Sequence, residues 1–479
     1  MTFYSETLDR LLAQGEAMVR ERQYGEGEQR ARMVLAQQPR NARGHFLLAL
    51  SALMQERHAE AYPHVLGALR SDRVNPEYHF MAALCHVAAG RAEEAIASYR
   101  RALQYRPRYF QARANLGYVL ECLGRVEEAA ECYRRVLDEQ PREWYSLNRL
   151  GYCERILGQP QAALGLLARA LEVQPNFAPT HNELALAYMQ LWRKPEAIAS
   201  FRTAVALDPQ FLFAWCNLGK VLYLDYVAAA AEGPADSAPV LECFDRILAL
   251  DPGNAEFAHM RDCVTGARPD RPPDEYIERF FDRFSAQFDE KLKGELEYIG
   301  PEAAAAFMAS WLGARGGLAV VDLGCGTGLS GTFLRPAAAR LVGVDLSGAM
   351  LERARERGIY DELVREEIGA FLERQAPASV DLAVALEVFL YVGALERVLA
   401  AAARALAPGG RLMFSVELAG DEVDFTLSAS GRYAHSARYV EAAARQAGFI
   451  VSASTDVAIR REIQRPVPAR LFALDRPAP

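Results

Sequence analysis

The chain has 479 residues, 51% of them hydrophobic, and a net charge of −8. That length suffices for roughly two to four domains with large cores, and the acidic balance disfavours bulk binding to nucleic acid or an anionic membrane. No apolar run reaches the roughly 18 residues of a bilayer span, and the eight cysteines form no C-x-x-C pair that would mark a disulfide framework or a zinc site.

Glu6, Asp9 and Arg10 interrupt the start, so no apolar leader is expected there. Scattered cysteines that read as small core residues fit a reducing, cytoplasmic setting, with no metal site expected. Only four of the 54 basic residues are lysine, an Arg and Ala bias that looks like a GC-rich bacterial genome.

The first half repeats itself. Prolines fall at 107, 141, 175 and 209, each 34 residues apart, and Pro39 lies two such periods before Pro107. Asn115-Leu116-Gly117 returns as Arg149-Leu150-Gly151 and Asn217-Leu218-Gly219. Gly90, Gly124 and Gly158 mark a turn between two helices. Ala95, Ala129, Ala163 and Ala197 follow, then Tyr99, Tyr133, Leu167 and Phe201. Several positions moving in one phase denote a helical array over about residues 8–253. Each unit is a helix pair that cannot bury its apolar face alone. Small residues let the two helices approach, large ones fill the gap between pairs, and proline ends the second helix. Two units depart: one has Asn75-Pro76 in place of its expected proline, and the last carries nine inserted residues at 228–236, either a loop or a longer helix.

This pattern resembles the tetratricopeptide repeat. The resemblance implies an all-α solenoid whose concave groove holds a protein or an extended peptide; a rigid spacer or a surface for a homo-oligomer is the alternative. Arg100, Arg101, Arg106, Arg108, Arg113, Arg134 and Arg135 either form an acidic-peptide groove or simply solubilise a face.

Arg268-Pro269-Asp270-Arg271-Pro272-Pro273 is polar and proline-rich, a linker composition. Ile277, Phe281, Phe284 and Phe288 then lie at helical intervals, either as a core stripe or as the inner face of a lid. The expected limits are a repeat solenoid over 1–267, a linker with lid helices over 268–301, and an α/β domain over 302–479.

Val320-Val-Asp-Leu-Gly-Cys-Gly-Thr-Gly328 is the most informative stretch. An apolar strand, 318–323, enters a loop with glycine at 324, 326 and 328, where the backbone can turn sharply and approach a ligand. A helix starting near Leu329 would point its amide end at that ligand. A second strand ends in Asp345, placed to accept hydrogen bonds from ribose hydroxyls. Gly326-Thr-Gly-Leu-Ser-Gly331 is also a literal G-x-G-x-x-G, the mark of a nicotinamide cofactor. Asp322 argues against that cofactor, because an acid there would repel a pyrophosphate and welcome a sulfonium and an amino group.

The glycine run followed by Val344-Asp-Leu-Ser347 resembles motifs I and II of the class I S-adenosylmethionine-dependent methyltransferases. The resemblance implies a Rossmann-like fold with a seven-stranded mixed sheet. Its strands are expected at 318–323, 340–345, 363–365, 380–386, 410–416, 449–458 and 469–474. Helices are expected near 302–312, 329–335, 348–357, 394–406 and 437–446. It places Gly324, Cys325 and Gly326 along the methionine part of S-adenosylmethionine, with Asp322 near its amino group. Asp345 would bind the ribose, Leu346 flank the adenine, Glu367 accept from the adenine amino group, and Ile368 stack or donate its amide. S-adenosylhomocysteine would be the product.

Glu387 ends the fourth strand at the edge facing the transferred methyl group, where it would orient the nucleophile, act as base or touch the cofactor. His435, the one histidine in residues 270–479, and Tyr433 are the other catalytic candidates, with Arg432 a substrate contact. The segment through Leu296-Glu-Tyr-Ile-Gly-Pro301 resembles the leader of a bacterial group of repeat-fused methyltransferases, with Ile299 where that pattern has arginine. The expected function is methyl transfer to a protein or peptide recruited by the repeats. A small-molecule methyltransferase whose repeats serve assembly, or a cofactor-binding scaffold without turnover, are the alternatives.

Overall fold

The computed structural model describes residues 2–285, 288, 299–312, 315–462 and 465–478. The chain separates into two compact units, Met1–Leu218 and Gly219–Pro479.

The first unit is a tetratricopeptide solenoid. Between Thr2 and Leu207 the chain forms six consecutive helix pairs, for example Phe110–Cys122 with Val126–Glu139 and Trp144–Ile156 with Pro160–Val173. The small-to-large logic of the repeat is visible in the packing. A Cβ on Gly117 would lie 2.9 Å from the Tyr133 ring, and one on Gly151 would lie 2.7 Å from Leu167. Tyr99, Tyr133, Leu167 and Phe201 are all fully buried. The prolines at 107, 141, 175 and 209 stand two residues past the ends of the helices that finish at Tyr105, Glu139, Val173 and Leu207.

Turn geometry extends the period further than the glycines do. Gly90, Gly124 and Gly158 have φ of 70°, 73° and 75°, and Arg22, Glu56 and Trp192 have φ of 62°, 59° and 60°. All six sit one 34-residue step apart. The left-handed conformation is therefore demanded by every such turn, and three turns meet it with a residue that carries a Cβ.

The arginine groove is largely neutralised. Arg100 pairs with Glu128, Arg106 with Glu77, Arg108 with Glu139, Arg134 with Glu154 and Arg135 with Glu131. Arg113 donates to the Pro107 carbonyl oxygen. The insertion at 228–236 is both things it was expected to be. The helix Leu212–Ala230 runs on through Ala228 and Ala229, and a connection carrying Gly233 and Pro234 follows.

The second unit is built on a parallel sheet with antiparallel additions. Its strands are β1 (Leu318–Leu323), β2 (Ala338–Asp345), β3 (Glu362–Arg365), β4 (Val380–Ala385), β5 (Leu406–Leu418), β6 (Phe425–Leu427), β7 (Tyr433–His435), β8 (Ile450–Glu462) and β9 (Arg465–Asp475). The order β3-β2-β1-β4-β5 is parallel throughout; β9 adds antiparallel to β5, and β8 antiparallel to β9. These seven strands make the seven-stranded mixed sheet that the resemblance implies. The ribbon of β6 and β7, three residues each, joins parallel to the end of β5 and was not foreseen. A seven-residue helix, Ile368–Arg374, was also not foreseen.

Alternation along β1 sends Val321 and Leu323 into one core and Val320 into another. The first core is covered by Ile368–Arg374, Glu396–Ala405 and Ala437–Gln446, the second by Gly300–Leu312. Chain order reverses between β1 and β4, so the crevice for a ligand lies at their carboxyl ends. Among the described residues no helix is long and apolar enough to cross a membrane.

One expected helix is shorter than read, and the expected linker is tied down. The helix expected from Leu329 is only Gly331–Leu334, running into a 3-10 turn at Arg335–Ala337, too short to aim a useful dipole. The proline-rich stretch at 268–273 is pinned rather than free: the Asp270 carbonyl oxygen accepts from the Gly393 and Ala394 amides at 2.7 and 3.1 Å. Leu296–Tyr298 of the leader lie outside the described residues; Ile299 is half exposed, and its amide donates to the Ile459 carbonyl oxygen.

Candidate functional site

A cavity of about 540 Å³ opens at the carboxyl edge of the sheet, within the usual range for a small-ligand pocket. The loop after β1, the ends of β2 and β4 and the turn after β3 all contribute to its wall. Gly324, Cys325, Gly326, Asp345, Leu346, Glu367, Ile368 and Glu387 line it together.

Each of these positions has a local cause. Gly324 has φ of 67°, and a Cβ on it would meet Val388 at 2.3 Å. Gly326 has φ of 53°, and a Cβ on it would meet nothing within 4 Å. Its bare backbone faces open space. Asp345 ties this loop to the next one: its carboxylate accepts from the Gly326 amide and the Ser347 amide, both at 2.9 Å. Burial raises its carboxyl above the usual range, and those amide bonds oppose the rise. Glu367 caps the helix Ile368–Arg374 by accepting from Gly369 and Ala370, both at 2.9 Å, and pairs with Arg271 at 3.1 Å.

At the end of β4, Glu387 has φ of 56°, a strained conformation for a residue with a side chain. Its amide donates to the Ser415 hydroxyl at 2.8 Å, and its carboxylate pairs with Arg460. Arg460 is almost wholly buried and also pairs with Glu417. One guanidinium thus serves two carboxylates, and Arg432 adds positive charge beside Glu387. Tyr391 stands close by; burial raises its phenol, and the neighbouring Arg432 opposes that rise.

The helix Asp274–Phe284 forms a further part of the cavity wall. Ile277, Phe280, Phe281 and Phe284 line the cavity, as does Phe288, and no residue of the helix is buried. The stripe therefore faces a hollow rather than a core. Phe281 packs edge-on against Tyr391 with centroids 5.3 Å apart. Asp282 anchors the helix to the loop after β2 by accepting from the Ser347 hydroxyl at 2.5 Å, and Glu278 pairs with Arg365.

Three of the sequence candidates stand elsewhere. Asp322 is 1% exposed and lies behind the loop, accepting from the Tyr360 hydroxyl at 2.6 Å; burial pushes its carboxyl up to about 7. His435 is fully buried, bonded to the Gly393 carbonyl oxygen at 2.9 Å and stacked on Tyr439; burial brings its pKa down to about 4. The buried Tyr433 donates to the Pro269 carbonyl oxygen at 2.9 Å. None of the three reaches the cavity wall. Arg271, Tyr391 and Arg460 do line it and were missed.

Tyr360 also explains the pattern that suggested a dinucleotide. A Cβ on Gly328 would lie 2.9 Å from its ring, and one on Gly331 2.8 Å. Those two glycines make room for a tyrosine, not for a pyrophosphate.

Residues 321–414 match the family model for a methyltransferase domain. Residues 12–76, 64–110, 80–143, 115–179 and 178–211 match models for the tetratricopeptide repeat. Trans-aconitate 2-methyltransferase from Paracidovorax citrulli is 43% identical over 95 residues, which cover 19% of this chain and 36% of that protein. Ubiquinone biosynthesis O-methyltransferase from Idiomarina loihiensis is 35% identical over 103 residues, 21% of this chain and 42% of that protein. The chain thus spans less than half the length of the curated relatives it matches. Among solved structures, the C-terminal part of a TPR repeat-containing protein from Cytophaga hutchinsonii is 12% identical, with 52% of this chain and 98% of that one covered at a TM-score of 0.43. MamA is 16% identical, with 34% and 95% covered at 0.32. At these scores the likenesses add nothing to the repeat assignment.

Proposed function

Because the chain joins tetratricopeptide repeats to a methyltransferase domain, we propose that it transfers a methyl group from S-adenosylmethionine to a protein or peptide recruited by the repeats. One observation carries the cofactor: the glycine loop, Asp345 and Glu367 open on a single cavity at the point where the strand order reverses. Gly326 offers backbone without a Cβ, Asp345 retains lone pairs for ribose hydroxyls, and Leu346 and Ile368 supply apolar surface for a purine. The cofactor supplies an activated methyl on a sulfonium, so the protein's part is largely positioning. Glu387, held by Arg460, and Tyr391 border the cavity at the end of β4, where an acceptor would approach.

Calorimetry on the whole chain tests the cofactor. Micromolar binding of S-adenosylmethionine and S-adenosylhomocysteine is expected, with none of NAD and with loss in Asp345→Ala. NAD binding alone would overturn the reading.

A second reading, a small-molecule acceptor, is supported by the matched relatives, whose names point to trans-aconitate and to ubiquinone biosynthesis. Incubation of the whole chain with cell extract and radiolabelled methyl donor separates the two. Label in the macromolecular fraction supports the first reading, and label confined to small molecules supports the second.

A further inference from the structure

The repeat unit holds a second hollow, of about 380 Å³. The helices His58–Ser71, Pro76–Ala88 and Ala92–Tyr105 and the turn at Arg73 wall it. Arg70, Arg73 and Arg101 line it, and no acidic residue does. Among the described residues none of the three makes an ion pair, whereas Arg100 and Arg106, immediate neighbours in sequence, are each matched by a glutamate. Three like charges around one hollow oppose one another unless an anion joins them.

The rest of the wall is aliphatic and aromatic. Leu66 and Leu69, both half-buried, supply aliphatic surface. His79 stacks on Tyr105 with centroids 5.5 Å apart. Its Nε2 bonds to the Arg73 carbonyl oxygen at 2.8 Å, which fastens the arginine-bearing turn to the ring wall. A bare inorganic anion would satisfy the charge and leave the leucines unused.

We propose that this hollow docks an acidic peptide segment in which glutamates or aspartates flank an apolar side chain. The carboxylates meet Arg70, Arg73 and Arg101, and the apolar side chain rests on Leu66 and Leu69. Arg101 belongs to the arginine set expected from sequence, and Arg70 and Arg73, which were not expected, join it here. The proposal stands apart from the methyl-transfer reading, since docking here requires no turnover.

The test is fluorescence anisotropy of a labelled glutamate peptide with one central leucine, titrated with the full chain. Binding should weaken as salt rises. The triple variant Arg70→Gln, Arg73→Gln, Arg101→Gln should bind roughly tenfold more weakly, as expected if each contact contributes about 0.5 kcal/mol. Arg202→Gln, another exposed arginine of the same unit, should bind as the parent does. All four positions are exposed, so circular dichroism should show the fold retained. Absence of binding, equal binding by the triple variant, or equal loss in Arg202→Gln would overturn the proposal. So would displacement by inorganic phosphate combined with indifference to replacing the leucine by glycine.

Discussion

Replacing Arg460 by methionine removes one cation from between two carboxylates. The side chain of Arg460 is 4% exposed, and those of Glu387 and Glu417 are 20% and 14% exposed. Breaking a buried pair by deleting one partner typically costs on the order of 3–5 kcal/mol, because the remaining charge is stranded. Both glutamates keep some access to water, so the expected loss is about 3 kcal/mol. The loss should depend on pH. Burial already holds the Glu387 carboxyl above its ordinary value, and Arg460 opposes that rise. Without Arg460 the folded-state pKa climbs further. A group raised on folding stabilises the native state below its unfolded pKa and loses that contribution as pH rises through the folded one. The variant should therefore be weakest at about pH 8 and recover part of its stability towards about pH 5. Urea denaturation of the full chain, followed by circular dichroism at both pH values, reads this directly. Adding Glu387→Gln should restore part of the loss. A deficit under about 1 kcal/mol, or one of equal size at both pH values, would refute the picture of a cation shared between buried carboxylates.

Asp322 titrates in the same sense, because burial lifts its carboxyl to about 7. Stability of the parent should fall as pH rises from the ordinary carboxylate range through about 7, and Asp322→Asn should flatten that slope in denaturation curves; an unchanged slope would refute it. Trp192 holds φ of 60° and is 94% exposed. Trp192→Gly should stabilise the chain by about 0.5–1 kcal/mol, the left-handed strain relieved less the backbone entropy of glycine; a lower melting temperature would count against the periodic-turn account. Phe281→Ala removes one ring from the cavity wall but no buried residue. It should weaken S-adenosylmethionine binding by about 1–2 kcal/mol in calorimetry with little change in melting; unchanged affinity would make the aromatic stripe structural only.

The repeat array was legible because one position in each period is forced. A left-handed turn prefers glycine, and a tight helix crossing prefers Gly117 or Gly151 against a bulky partner. Where Arg22, Glu56 and Trp192 fill the same turn, no residue-type signal survives, and only the backbone shows it. The glycine loop and Asp345 were legible for a similar reason, since close approach leaves few alternatives. The place of Asp322 off the cavity wall was not legible, because the same glycines that mark a ligand loop also accommodate Tyr360, which lies 38 residues on and donates to that acid. Arg460 left no trace in spacing: it lies near the end of β8, 73 residues from Glu387, and only the pairing of β8, β9 and β5 brings the two together. The ribbon at 425–427 and 433–435 is too short for an alternation to register.

Tyr360 makes the loop beside it a matter of joint inheritance. At Gly331 the near atoms within 3.0 Å of an added Cβ all belong to that tyrosine, whereas at Gly343 Leu363 and Cys325 crowd the same space as well. An alanine at 331 is thus damaging only in the company of a large residue at 360, and a smaller residue there acts as its suppressor. No such suppressor exists at 360 for an alanine at 343. Two glycines beside one tyrosine, alike in a single-substitution survey, would part company in a screen for compensating second mutations.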